Sequence, residues 1–246
     1  MTHNAIGAFY LSPEEWREPF RLGGSECVHL MKVLRARVGD SVRLLDGAGR
    51  EGRFVIAKLN GREAELRPVE IVEHPRPLGG AILALGWTKA LRRSWLLEKA
   101  VELEANALWF WQARRSQAVV PEESKETWLA QLAAGAKQCG NPWLPEIKTL
   151  PGGVNELIEA AKSFKYRFML HEDHKRGHVL TLEDLPLSEN PIFILGPEGG
   201  FAPEEAEVLS GAGIASVSLG KRVLRWETAA LLCLGLTWWN RGRAET

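Results

Sequence analysis

The chain has 246 residues, 45% of them hydrophobic and 25% charged, and 31 Lys and Arg balance 31 Asp and Glu for a formal net charge of zero. That length makes one large or two modest domains, and the composition is ordinary for a globular protein, which excludes a fibrous or low-complexity chain. Zero net charge means that bulk electrostatics does not announce a nucleic-acid binder, so local charge has to be read instead. Cys27, Cys139 and Cys233 are odd in number and widely spaced, without a CxxC pair. They suit neither a disulfide framework nor a zinc site, and they fit a reducing cytoplasm. The opening MTHNAIGAFY lacks the basic and apolar regions of a signal peptide. The greasiest stretch, 229–239, is too short to span a bilayer. The expected setting is the cytoplasm, with no membrane partner.

Residues 1–76 read as β-rich. Phe9 and Tyr10 open a short strand, and 29–35 makes about one helical turn. Gly39-Asp40 signals a turn, and 41–47 is a strand running into an Asp46-Gly47 hairpin turn. Strands at 53–59 and 63–68 flank Asn60-Gly61, a second hairpin signal. Short strands with tight turns predict a small barrel or sandwich. Between Lys32 and Arg62 eight basic residues face three acidic ones, Asp40, Asp46 and Glu51. Such a patch lets a neutral protein hold a phosphate backbone, although it also suits a solvated face. Lys32, Arg35, Arg43 and Arg53 are the candidate RNA contacts.

Residues 74–80 form a Pro- and Gly-rich linker, and beyond it the pattern changes. An apolar strand at 81–85 precedes a helix at 89–103, on which Lys89, Arg92, Arg93 and Lys99 share a broad face. A strand at 108–111 leads to Arg114-Arg115-Ser116-Gln117. A long helix follows at 122–137, a shorter one at 157–162 and a strand at 167–170. Strands alternating with helices predict a mostly parallel sheet covered on both faces. The expected organisation is a β domain over 1–76 and an α/β domain over 77–246. His171, His174 and His178 do not have a recognised ligand spacing, and Lys175-Arg176 between them opposes a cation, so no metal is expected.

The last third carries the strongest signal. The apolar run Ile192-Phe193-Ile194-Leu195 stops at Gly196-Pro197, passes Glu198-Gly199-Gly200 and enters a helix at Pro203-Glu204-Glu205. Pro203 suits a first helical turn, where its missing N–H would have had no partner, and the two acids favour the positive end of the helix dipole. A phosphate-binding loop would place Lys and Ser or Thr after its last glycine, whereas Phe201 and Ala202 stand here. A cationic or neutral ligand with a flat, adenine-like group fits better. A second glycine-hinged unit follows at 217–225, leading into a helix-like stretch from Trp226.

ILGPEGGF at 194–201, SLGKRVLRWETA at 218–229 and the Lys89-Ala90…EKAVEL stretch at 89–103 together resemble the ribosomal small subunit methyltransferase E family, of the SPOUT superfamily. His29, Val33-Leu34-Arg35 and Gly39-Asp40 resemble that family's N-terminal domain. The resemblance implies an α/β fold: a C-terminal SPOUT domain with a mostly parallel sheet and a deep trefoil knot, plus an N-terminal PUA-like RNA-binding small β-barrel. It implies S-adenosylmethionine as cofactor, contacted by Leu170, Gly196, Gly200, Leu219, Gly220 and Leu224, mostly through backbone atoms. It also implies methylation of uridine N3 in 16S ribosomal RNA within the 30S subunit, and a homodimer to which the helix carrying Trp238-Trp239 contributes. The sequence departs from the family at two places. Ala134 and Asn141 replace an acid and an arginine around Gln138, and Glu104-Ala105 stands where the family continues Glu-Leu-Gly with an apolar residue.

Uridine N3 carries a proton at neutral pH and must lose it to attack a methyl donor. An arginine near the flanking carbonyls would stabilise the resulting charge. Arg225 is the first candidate and Arg115 the second. Glu198 takes the proton or orients its loop, or else caps nearby amides. The alternative reading is a non-catalytic RNA-binding or ribosome-assembly factor that retains a cofactor-shaped pocket.

Overall fold

The computed structural model describes residues 5–88, 90–171 and 177–244, which divide into two compact units. One comprises the chain up to Arg76 together with Ala133–Leu144, and the other comprises Pro77–Leu132 and Pro145 onward.

In the first unit, β1 (Ala8–Tyr10), β2 (Phe20–Leu22), β3 (Ser41–Leu45), β4 (Arg50–Leu59) and β5 (Ala64–Glu73) form a five-stranded sheet in the order β1-β3-β4-β5-β2. Only the β1–β3 pairing is parallel. A short helix α1 (Gly24–Val28) runs on as a π-helical turn over His29–Val33. Both predicted hairpins form, for local reasons. The Asp46 carboxylate accepts the Ala48 and Arg50 amides at 2.8 and 2.9 Å, and the Asn60 side chain accepts those of Arg62 and Glu63. The strand predicted to stop at Pro68 continues to Glu73. Pro68 lies at a register shift between Arg53 and Phe54, and proline, having no N–H to give the ladder, is tolerated at such bulges. Phe9, Leu22, Leu30, Leu44, Phe54 and Ile56 fill one core.

Residues 133–144 pack on this sheet. The Gly49 amide donates to the Pro142 carbonyl at 3.0 Å, and the Leu144 amide donates to the Gly47 carbonyl at 2.9 Å. Trp143 lies so close over Gly49 that a Cβ there would come within 2.3 Å of the indole. Lys137 pairs with Glu26 at 2.6 Å, and Arg43 donates to the Gly140 carbonyl at 2.9 Å.

The second unit contains β6 (Ile82–Gly86), α2 (Ala90–Glu102), β7 (Ala107–Trp111), the start of α3 (Glu126–Cys139), β8 (Glu146–Leu150), α4 (Val154–Ala161), β9 (Arg167–Leu170), β10 (His178–Val179), β11 (Ile192–Leu195), α5 (Pro203–Gly211), β12 (Ala215–Ser218) and α6 (Trp226–Ala244). Its seven strands run in the order β10-β12-β9-β11-β6-β7-β8, and every pairing is parallel. The apolar runs of β6, β7 and β11 are buried throughout, as strands covered on both faces require. Of the broad basic face predicted on α2, Lys89 and the side chain of Arg92 lie outside the described residues. No helix among the described residues is long and apolar enough to cross a membrane.

Candidate active site

The C-terminal ends of β9, β11 and β12 open onto a cleft of about 520 Å³, within the usual size of a small-molecule site. Parallel sheets place ligands at this end of their strands. The loop after β11 forms one wall, and several contacts hold it. The Trp111 indole donates to the Leu195 carbonyl at 3.1 Å. The Gly200 amide closes a turn onto the Pro197 carbonyl at 2.8 Å, and Gly200 takes φ +69°, a conformation that favours glycine. Beneath it, Gly86 at the end of β6 admits the loop so closely that a Cβ would lie 2.4 Å from the Pro197 nitrogen. The Thr88 hydroxyl donates to Glu198 Oε1 at 2.8 Å, and Arg115 donates to the Gly199 carbonyl at 2.7 Å. The buried Glu205 carboxylate accepts the Ala202 amide at 2.9 Å and the Arg114 amide at 2.8 Å, tying the start of α5 to the loop after β7.

The second wall is the loop between β12 and α6. Gly220 turns it at φ +114°, and the Arg225 carbonyl accepts the Ala229 amide at 2.9 Å, the first hydrogen bond of α6. Leu219, Val223 and Leu224 supply apolar surface, and Arg222 and Arg225 line the same side. The Trp226 indole is buried at the cleft, and its Nε1–H has no acceptor among the described residues. The end of β9 is joined to β12 by the His171 amide, which donates to the Val217 carbonyl at 2.9 Å.

All nine residues predicted for cofactor or chemistry border this one cleft: Leu170, Gly196, Gly200, Leu219, Gly220, Leu224, Arg115, Glu198 and Arg225. His171, Phe201, Arg222, Val223 and Trp226 border it too and were not singled out for it. Phe201, Arg222, Val223 and Trp226 adjoin the two glycine loops in sequence and His171 directly follows Leu170, which was the available signal. Thr88 was missed because nothing in its local sequence ties it to Glu198, 110 residues away.

The four basic residues predicted to meet RNA divide into two pairs. Arg43 is engaged with Glu51 and the Gly140 carbonyl, and Arg53 lies 3.9 Å from Glu70. Lys32 and Arg35 are exposed, as is Arg37 beside them, and among the described residues no carboxylate lies within ion-pair distance of these three. Of the three histidines weighed as metal ligands, His174 lies outside the described residues, His171 borders the cleft and His178 pairs with Asp184 at 3.1 Å. No group of three or more His, Cys, Asp or Glu among the described residues is placed to hold a metal ion.

The profile of the RNA methyltransferase domain matches residues 74–238, and that of the RNA methyltransferase PUA domain matches 22–69. A ribosomal RNA small subunit methyltransferase E of Mesomycoplasma hyopneumoniae is 32% identical over 189 residues, which cover 75% of this chain and 81% of that protein. The chain belongs to this family. Another member, from Mycobacterium bovis, is 31% identical over 223 residues, 86% of this chain and 83% of its own. Among solved structures, a Legionella pneumophila methyltransferase with bound S-adenosylmethionine superimposes with a TM-score of 0.81 at 28% identity, covering 95% of this chain and 97% of that one. The PUA match and the all-parallel sheet agree with the two-part α/β fold read from the sequence.

Proposed function

We propose that the protein is an S-adenosylmethionine-dependent methyltransferase that modifies N3 of a uridine in 16S ribosomal RNA, acting in the cytoplasm on the 30S subunit. The observation that carries this reading is the cleft itself, bordered by both glycine-hinged loops in a member of the methyltransferase E family. Its residues fit the cofactor. The walls are largely backbone and aliphatic, a Cβ at Gly196 would lie 2.9 Å from the Gly200 carbonyl carbon, and the Trp226 N–H is a buried donor in need of an acceptor. The Legionella relative holding the same cofactor adds support.

Gly196, Gly200, Leu219 and Gly220, with Leu170 and Leu224, would hold the cofactor. When bound, S-adenosylmethionine supplies an electrophilic methyl group, so the chain's own work is alignment and charge. Glu198 accepts the N3 proton of the uridine. Arg225 stabilises the negative charge that spreads to the flanking carbonyls, with Arg115 the second candidate for that role. Lys32 and Arg35 meet the RNA backbone, together with Arg43 and Arg53 where their carboxylate partners allow.

The reading extends to a trefoil knot and a homodimer. The chain lays β11 on one side of β9 and then crosses back to insert β12 on the other, the kind of crossing a knot needs. On α6, Trp238 and Trp239 are 41% and 56% exposed, surface suited to a second copy. The test is methyl transfer from labelled cofactor to 30S subunits lacking the mark, with the product nucleoside identified by mass spectrometry. 3-Methyluridine is expected. Cofactor binding without any methylated nucleoside would favour an assembly factor instead, and a different methylated nucleoside would overturn the N3 assignment.

A further inference from the structure

The Thr88 hydroxyl donates to Glu198 Oε1 at 2.8 Å from a position just beyond the end of β6. Thr88 is itself held from behind. Its carbonyl accepts a hydrogen bond from the guanidinium of Arg93, on the first turn of α2, and that guanidinium lies 3.7 Å from the centroid of the Trp87 ring. Trp87 packs edge-on to Phe110 with ring centroids 5.5 Å apart and leans on Trp128 at 5.8 Å. Trp87, Thr88 and Arg93 are 5%, 5% and 9% exposed. The same strand end carries Gly86, whose missing side chain lets Pro197 approach. A buried, braced hydroxyl therefore meets the one carboxylate on the loop that borders the cleft.

We infer that Thr88 is a positioning residue that sets the carboxylate of Glu198 for its part in methyl transfer, with Arg93 and Trp87 as its brace. The inference rests on the reading of Glu198 as proton acceptor. Thr88 does not border the cleft, so it acts through Glu198. A hydrogen bond to an ionised acceptor is short, directional and stronger than a neutral one. Pinning one oxygen restricts the carboxylate's rotation, and the reach toward a substrate proton is set before substrate arrives.

The experiment uses the full chain in four forms: Thr88→Val, Thr88→Ser, Glu198→Gln and the Thr88→Val/Glu198→Gln double variant. Thr88→Ala stands in for Val should Val not be tolerated. Single-turnover methylation of unmarked 30S subunits at saturating cofactor is read beside calorimetric cofactor titration and melting temperature. Thr88→Val should slow transfer roughly ten-fold or more, the worth of a hydrogen bond to a charged group. Cofactor affinity should stay within a few-fold, and Ser should restore the rate. In the Glu198→Gln background the same substitution should add nothing, because coupled residues are non-additive. A Thr88→Val rate equal to wild type while Glu198→Gln is slow overturns the positioning role and spares Glu198. An equal slowing by Thr88→Val in both backgrounds also overturns it, since a general structural defect would add. A Glu198→Gln enzyme of normal speed overturns the assignment of Glu198 itself.

Discussion

Arg241, near the end of α6, pairs with the carboxylate of Glu104, at the turn that ends α2, and donates a second hydrogen bond to the Leu78 carbonyl at 3.2 Å. Glu104 takes φ +52°, a left-handed conformation that a non-glycine residue adopts at some cost. The chain thus keeps an acid at a backbone conformation that suits glycine and ties that acid to a buried arginine. Glu104→Gly should relieve the backbone by less than it loses by leaving Arg241 unpaired, for a net destabilisation of about 1–3 kcal/mol. Urea unfolding measures it, and a more stable variant would mean that the backbone term dominates.

The glycine loop predicts ligand-dependent stability. S-adenosylmethionine and its demethylated product should raise the melting temperature, by the equivalent of about 2.7 kcal/mol at a hundred times the dissociation constant, while ATP should not. Gly200 sits at φ +69°, where a β-branched side chain is strained, and it borders the cleft. Gly200→Val should therefore abolish the ligand-induced shift, and an unchanged shift would place the cofactor elsewhere.

Arg225 and Arg115 should separate by kinetics. Arg225 lies at the cleft just before α6, whereas the Arg115 guanidinium is already committed to the Gly199 carbonyl at 2.7 Å. Arg225→Ala should bind cofactor within a few-fold of wild type and transfer methyl about a hundred-fold more slowly, as losing one electrostatic stabiliser costs roughly 2.7–4 kcal/mol. Arg115→Ala should instead loosen the glycine loop and weaken cofactor binding, with much of the rate regained at saturation. Single-turnover rates beside calorimetric titrations decide the matter. Normal Arg225→Ala turnover with lost affinity would exchange the two roles.

RNA binding should fall steeply with salt, because phosphate contacts release counterions. Reversing Lys32, Arg35 and Arg37 together should weaken RNA binding and reduce the salt slope without affecting fold or cofactor. Arg43→Glu should behave differently. It breaks the Glu51 pair and the bond to the Gly140 carbonyl, so its main effect should be a lowered melting temperature. Filter binding over a salt series with thermal melts separates the cases, and RNA affinity indifferent to the triple reversal would exclude that patch.

Much of this molecule is local and was therefore legible. The hairpins at Asp46-Gly47 and Asn60-Gly61 follow from side chains that cap their own turns. The strand, glycine loop and Pro203-initiated helix follow from apolar run, backbone freedom and helix-start chemistry within 14 consecutive residues, 192–205. Both loops of the cleft could be named because each writes its own signature in sequence. The short strands β2 and β10 and the polar β8 could not be read, since their pairing comes from a neighbouring strand rather than from their own residues. Only tertiary structure brought Thr88 to Glu198 and laid residues 133–144 on the β sheet of the first unit. It likewise spent Arg43 on Glu51 instead of leaving it among the exposed cations. Composition and spacing count charges and glycines, but whether a charge is paired or a hydroxyl is braced depends on which distant segments the parallel crossovers and the β core press together.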